Sequence, residues 1–223
     1  MEADNYLLRV EDIEKEFPGV KALNGVQLKI APGEVHALLG ENGAGKSTLM
    51  KCLIGMHTPS KGKIWFDGRY IENYTITEAL EMGISMIHQE LSPVREISIM
   101  ENIWLGREPK NKFGLIDHKK MYQMTLDVLD RIQTKLDPKM LIKNLTVAKM
   151  QMIELAKAIS YNAKLIIMDE PTSSLTEKET LQLYKIIRQL KAENCSIIYI
   201  SHKLDEIQTI CDTLTVLRDG QYV

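Results

Sequence analysis

What this sequence has little of narrows it first. It holds three cysteines in 223 residues, Cys52, Cys195 and Cys211. The number is odd and the positions are scattered. That argues against a disulfide framework and gives no zinc-ligand spacing, so buried free thiols in a reducing compartment are expected. Charge of neither sign dominates. There are 28 Lys and Arg against 30 Asp and Glu, a net charge of −2. That balance gives no bulk electrostatic ground for holding nucleic acid. Long apolar runs are missing too. Leu165 to Met168 and Ile197 to Ile200 are among the longest, and they are far too short to cross a bilayer. Met1-Glu2-Ala3-Asp4 is acidic and no apolar stretch of the right length follows it, so no secretory signal is expected. No internal repeat, low-complexity tract or linker stands out. What is there is an ordinary globular balance, 44% hydrophobic and 26% charged, at a length that suits one sizeable core or two small ones.

The most informative stretch is Leu38-Leu39-Gly40-Glu41-Asn42-Gly43-Ala44-Gly45-Lys46-Ser47-Thr48. Two glycines five apart, followed by Lys and Ser, match the spacing of a phosphate loop. Glycine opens backbone conformations closed to other residues, so consecutive N–H groups can turn inward on an anion. The helix expected from Lys46 to Gly55 aims its positive end at the same point. Lys46 adds a point charge for the β- and γ-phosphates, and the Ser47 hydroxyl suits Mg²⁺. An ordinary Gly-rich turn is the plain alternative. It is disfavoured by the apolar run Val35 to Leu39 leading in and by Leu49, Met50, Leu53 and Ile54 at helical spacing leading out.

Four short apolar runs end abruptly in polar side chains. Val35 to Leu39 ends at the loop. Ile84 to His88 ends at Gln89-Glu90, Lys164 to Met168 at Asp169-Glu170, and Ser196 to Ile200 at Ser201-His202. Near-continuous Ile/Leu/Val runs predict strands buried on both faces of a mostly parallel sheet. Ligands of open α/β sheets bind beyond the carboxyl ends of the strands, so the four ends predict one shared site. Asp169 is then a candidate Mg²⁺ partner and Glu170 a candidate to polarise an attacking water. Two acids at a strand end also suit a solvated turn or a helix cap. His202 alone suits a hydrogen-bonded structural role, and its place after a buried strand favours a γ-phosphate contact. Helices are predicted at 117–136, 147–160 and Glu177 to Ala192, the last with Thr176 as N-cap. Leu7 to Ile13, Val26 to Ile30 and Lys63 to Phe66, with turns at Pro18-Gly19, Pro32-Gly33 and Asp67-Gly68, predict a small antiparallel sheet beside the parallel one.

The succession GENGAGKST, SMIHQE, LIIMDEPTSSLT and IYISHK resembles the ATP-binding-cassette ATPases over the whole chain. FPGVKAL, GISMIHQELS, SYNAKLIIMDEPTSSLTEKE and VLRDGQ resemble most closely the ATPases of bacterial sugar importers, of the galactose/methylgalactoside or ribose class. The resemblance implies an α/β phosphate-loop NTPase core with a mostly parallel sheet, a small antiparallel β subdomain and a helical subdomain. The core would take 1–89 and 161–223, and the helical lobe 90–160. It implies ATP with Mg²⁺ held by Gly40 to Thr48 and Asp169, with Ser47, Gln89 and Asp169 at the metal. It implies an adenine stacked on Phe17, catalytic roles for Glu170, His202 and Gln89, and ATP hydrolysis that drives sugar import. The implied partners are a second nucleotide-binding cassette, transmembrane permease subunits and, indirectly, an extracytoplasmic sugar-binding protein, with no nucleic acid. The implied place is the cytoplasmic face of the membrane.

Two stretches depart from the family pattern. Its signature is Leu-Ser-Gly-Gly-Gln, and here Leu145-Thr146-Val147-Ala148-Lys149 stands in its place. The glycines that let a backbone approach a phosphate are gone. The loop after Glu170 carries Thr176 where many relatives have Asp. A degraded first signature resembles the importer subgroup in which one polypeptide carries two cassettes, so the chain reads as the first of a tandem pair. A cassette acting on ribosomes or DNA, and a regulatory module that binds ATP with little turnover, remain alternatives on sequence alone.

Overall fold

The computed structural model describes residues 5–89 and 92–223. Glu90, at the end of the second predicted strand and the start of the predicted helical lobe, lies outside the described residues, as does Met1 to Asp4. In chain order the elements are β1 (Leu8–Phe17), β2 (Val20–Ile30), β3 (Val35–Leu39), α1 (Lys46–Leu53), β4 (Lys61–Phe66), β5 (Arg69–Ile71), α2 (Ile76–Met82) and β6 (Ile84–Ile87). Then come α3 (Ile99–Trp104), α4 (His118–Arg131), α5 (Val147–Ser160), β7 (Leu165–Asp169), α6 (Glu177–Ala192), β8 (Ser196–Ile200), α7 (Leu204–Ile210), β9 (Thr213–Arg218) and β10 (Gln221–Tyr222). They fall into two compact units.

The first unit takes the described residues up to Met86, then Ala163–Glu170 and Ile187–Val223. Its larger sheet has the order β10-β9-β3-β8-β7-β6, and β3 pairs in parallel with both β8 and β9, as β7 does with β8. Val35, Leu38, Ile166, Ile167, Ile197 and Ile198 are fully buried, as a parallel sheet covered on both faces requires. The smaller sheet, β2-β1-β4-β5, is antiparallel. Leu8, Ile13 and Leu23 from it join Leu49, Met50 and Leu53 of α1 and Ile198 and Ile200 of β8 in one core. The predicted strand Leu7 to Ile13 continues to Phe17 and turns at Pro18-Gly19 into β2, which starts earlier than expected, at Val20.

The second unit takes the described residues from Ile87 to Asn162 together with Pro171–Ile186. Ile99, Ile103, Met121, Leu129 and Ile153 are nearly fully buried in it. The Trp104 indole donates to Thr125 Oγ1 at 3.0 Å, and that hydroxyl donates to the Met121 carbonyl at 2.7 Å. Arg107 lies 3.3 Å over the Tyr161 ring and donates to Ser160 Oγ at 2.8 Å.

The structure corrects several expected boundaries. The helix predicted at 117–136 ends at Arg131. Gln133 adopts the left-handed φ of 51° there, and Thr134 N–H closes on the Leu129 carbonyl at 3.0 Å, which turns the chain out of the helix. The helix predicted to Gly55 ends at Leu53, and Gly55 turns the chain at φ 74°. Cys52 and Cys195 are buried as expected, but Cys211 is only half-buried, because it caps the C-terminal end of α7. Burial still pushes the thiols up, to about 11 at Cys52 and about 12 at Cys211.

Candidate active site

Three of the four polar strand ends lie in the first unit, those of β3, β7 and β8. The register sets Leu38 beside Ile200 and Asp169 beside Ile200, so the three carboxyl ends are level. The segments that leave them are the loop at 40–45, Glu170 and Ser201-His202.

The loop is shaped by positions that only glycine fills. Gly40 has φ 151° and Gly45 φ 100°. A Cβ on Gly40 would run into the Leu217 carbonyl oxygen, and one on Gly45 would lie 2.8 Å from the Ala22 carbonyl oxygen. Gly45 is the N-cap of α1, and no side chain closes that end. First-turn N–H groups at an end without a side-chain cap suit an anion. Glu41, Asn42, Gly43 and Ser47 are exposed, Thr48 is half-buried, and Ala44 is buried with its carbonyl accepting from Gly220 N–H at 3.2 Å.

Lys46 is nearly buried and donates to the carbonyls of Gly40 (2.5 Å) and Glu41 (3.0 Å). Burial lowers its ammonium below the ordinary lysine range, and the carboxylates of Asp169 and Glu170 pull it back up. The charges of both acids are therefore felt at the lysine of the loop. Glu170 is far from ordinary backbone, at φ 49°, with its N–H donating to the Ile200 carbonyl at 3.0 Å. Its Oε1 stands 3.2 Å from His202 Nε2, the histidine half exposed and the glutamate mostly sheltered. Such non-glycine left-handed residues cluster where a site over-determines the chain.

Sequence reasoning missed the buried acid that ties down the residues on either side of His202. Glu206 is 6% exposed. Its carboxylate accepts from Tyr199 Oη at 2.7 Å and Ser201 Oγ at 3.1 Å and pairs with Lys203 Nζ at 3.1 Å. Lys203 N–H donates to Ser201 Oγ at 3.1 Å. An acid in the first turn of a helix just after a strand-end histidine was the available signal, and short α7 hid it. Phe17 closes β1, is 38% exposed, and meets His57 edge-on at 5.4 Å, with Lys15 Nζ 5.2 Å over its ring.

Gln89 and the stretch Leu145 to Lys149 fall in the second unit. Gln89 follows β6 and is exposed. Thr146 is the N-cap of α5, its side chain accepting from Lys149 N–H at 3.4 Å. Leu145 and Ala148 are buried, and Val147 is 45% exposed. Thr176 caps α6 as expected, in a reciprocal box with Glu179.

The sequence profile of the ABC transporter family matches residues 23–173, which includes the loop and both strand-end acids. The chain belongs to the ABC transporter family. Among curated relatives, a protein of Geobacillus kaustophilus provisionally named a ribose/galactose/methyl galactoside import ATP-binding protein is 57% identical over 222 residues, 99% of this chain and 44% of the relative. A galactose/methyl galactoside import ATP-binding protein of Clostridium tetani is 53% identical over 100% of this chain and 45% of its own length. This ABC chain therefore spans less than half the length of the curated relatives it matches. A solved nucleotide-free ATP-binding cassette of an ABC transporter superposes with a TM-score of 0.87 at 26% identity, covering 98% of this chain and 90% of that one. A cassette in its ADP conformation gives 0.86 at 27%, covering 98% and 89%. The fold is that of an ABC nucleotide-binding cassette.

The donor set also fits Mg²⁺ beside a triphosphate. Among the described residues no group of three His, Cys, Asp or Glu forms a cage. Mg²⁺ commonly takes one or two carboxylates with substrate phosphates and waters, rather than an all-protein cage. Asp169 and the exposed Ser47 hydroxyl offer that kind of partial set.

Proposed function

We propose that this cassette binds and hydrolyses ATP to power import of a sugar of the galactose, methylgalactoside or ribose class. The observation that carries the reading is the Glu170–His202 pair, 3.2 Å apart, in the same unit as Lys46 and the glycine loop. The curated relatives named as import ATP-binding proteins support the substrate class.

Phosphoryl transfer to water needs positioning and charge stabilisation more than covalent chemistry. The loop N–H groups, Lys46 and Thr48 bind the phosphates, and Phe17 stacks on the adenine. Ser47, Asp169 and Gln89 would hold Mg²⁺, which would offset phosphate charge. Glu170 orients the attacking water or takes its proton, and His202, between two residues tied to Glu206, meets the γ-phosphate and the Glu170 carboxylate.

Leu145 to Lys149 faces the nucleotide of a second cassette, carried in the same longer polypeptide. The lobe at 90–160 docks on transmembrane permease subunits at the cytoplasmic face, and an extracytoplasmic sugar-binding protein acts through them. Among the described residues no helix is long and apolar enough to cross a membrane, which suits a peripheral subunit.

The test is sugar uptake into vesicles that hold the full-length chain with its permease. Glu170→Gln is expected to abolish ATP-driven uptake while ATP affinity stays near normal. Uptake that survives the substitution would remove Glu170 from the mechanism. An ATPase stimulated by ribosomes or DNA and indifferent to the permease would replace the sugar reading.

A further inference from the structure

Residues 110–116 of the second unit form a small hairpin, closed by a bridge between Lys110 and Ile116. The hairpin is built, not loose. Asn111 N–H donates to the Leu115 carbonyl at 2.8 Å, and Gly114 N–H to the Asn111 carbonyl at 2.9 Å. The Asn111 side-chain oxygen accepts from the N–H groups of Phe113 (2.8 Å) and Leu115 (3.2 Å). Asp117 N–H then closes on the Pro109 carbonyl at 2.7 Å. This frame holds two large apolar side chains in the open, Phe113 at 77% exposure and Leu115 at 67%.

The charge around the tip is one-sided. Between Arg107 and Lys120 stand Arg107, Lys110, Lys112, Lys119 and Lys120 against Glu108 and Asp117. Both acids serve backbone groups: Glu108 accepts from Gly106 N–H at 3.1 Å, and Asp117 accepts from Lys120 N–H at 2.9 Å as the N-cap of α4. Lys110, Lys112, Lys119 and Lys120 are exposed. A basic segment thus flanks a hydrogen-bonded apolar tip in a chain whose net charge is −2. An apolar insertion and a basic patch are each weak membrane signals alone and give stable attachment together.

We propose that the hairpin at 110–116, unlike the rest of the lobe that docks on the permease, is a contact with an anionic lipid surface. Phe113 and Leu115 enter the boundary between headgroups and acyl chains, and Lys110, Lys112, Lys119 and Lys120 meet the lipid phosphates. A negatively charged bilayer repels the rest of the chain weakly, so this segment also fixes which face approaches. The contact does not depend on which sugar the transporter carries.

The test is flotation of the chain with vesicles of phosphatidylcholine, with and without phosphatidylglycerol. The chain is expected to float with the anionic vesicles, to stay behind with the neutral ones, and to be released at high salt, which shortens the screening length to about 3 Å at 1 M. A basic side chain near an anionic surface is worth about fivefold in partition, so the double variant Lys110→Glu and Lys112→Glu should lose roughly 25-fold or more. Phe113→Ser with Leu115→Ser should weaken floating even at low salt. All four side chains are exposed and outside the nucleotide site, so thermal unfolding and affinity for a fluorescent ATP analogue should match the parent. The proposal fails if the parent chain ignores anionic vesicles, or if both double variants float as well as it does. It also fails if the tip substitutions abolish only self-association of the chain.

Discussion

The N-terminal ends of α1 and α5 are the same backbone device finished in two ways. At α1 the cap is Gly45, with no side chain closing the turn. At α5 the cap is Thr146, whose hydroxyl takes the Lys149 N–H for itself, and the half-exposed Val147 follows. A helix start offers its first N–H groups to whatever acceptor comes closest. Left to glycine, they remain for a phosphate; given a hydroxyl, they are partly satisfied from within. The contrast teaches that a helix N-terminus becomes a ligand site by what its cap residue leaves undone. In a tandem polypeptide it also predicts two unequal sites, one served by this chain's loop and one faced by its altered signature stretch.

The largest effect that would sharpen the contrast lies at Glu170. Glu170→Gln keeps shape and hydrogen bonding but gives a far poorer base, so turnover should fall by about two to four powers of ten. Steady-state ATPase of the full-length polypeptide with its permease reads this directly. Next is Lys46→Ala. Loss of a charge-assisted bond of about 1.5–3 kcal/mol should weaken Mg-ATP binding by roughly 10- to 100-fold in calorimetry. In the tandem chain it should also cost more ATPase than the matching lysine of the other cassette. Equal losses would break the comparison, because the two sites would then be equivalent.

A smaller effect is expected at the other helix. Thr146→Ala removes the cap of α5, at a cost of about 1 kcal/mol. Thermal unfolding should drop by about 2–4 °C for a chain of this size, with ATP affinity unchanged. The smallest concerns acid. Glu78, Glu101 and Glu179 each close a capping box, and their hydrogen bonds to Thr75, Ser98 and Thr176 hold all three carboxyls below the ordinary value of 4.5. Their folded pKa values are depressed, so their stabilisation is complete above about pH 4.5 and fades as pH falls through the folded values. The triple variant with Gln at 78, 101 and 179 should unfold at a temperature that depends less on pH below that point.

How much of this was legible depended on how much of each element is buried. β3, β8, α5 and α6 begin and end where the apolar pattern predicted, because continuous Ile and Leu runs or a full helical stripe leave one reading. Short α2, α3 and α7, the edge strands β5 and β10, and β9 beside β10 offered too few periods to stand out. In α2 and α3 the capping boxes, not the periodicity, carry the signal. At the site the residue types and strand ends were readable, since a phosphate loop and a strand-end acid pair are local patterns. The contact between Glu170 and His202 was not, because only the sheet brings those residues together, and the buried Glu206 was missed because its partners Tyr199 and Ser201 lie at the end of β8 and in the short turn after it, where no periodic pattern points to it.

The left-handed backbone at Glu170, φ 49°, decides which substitutions there are informative. A branched side chain such as Val would be expelled from that conformation, so an inactive Val variant would report a displaced chain and say nothing about chemistry. Glycine would sit there without strain, but it would loosen the segment while deleting the carboxylate. Asparagine and aspartate tolerate the conformation best among side-chain-bearing residues, yet they reach one carbon less far. Glutamine alone alters the acid and leaves the reach unchanged. A mutational scan of this position would therefore rank residues by backbone tolerance first and by acidity second, and the two rankings must be separated before any result of it is read as mechanism.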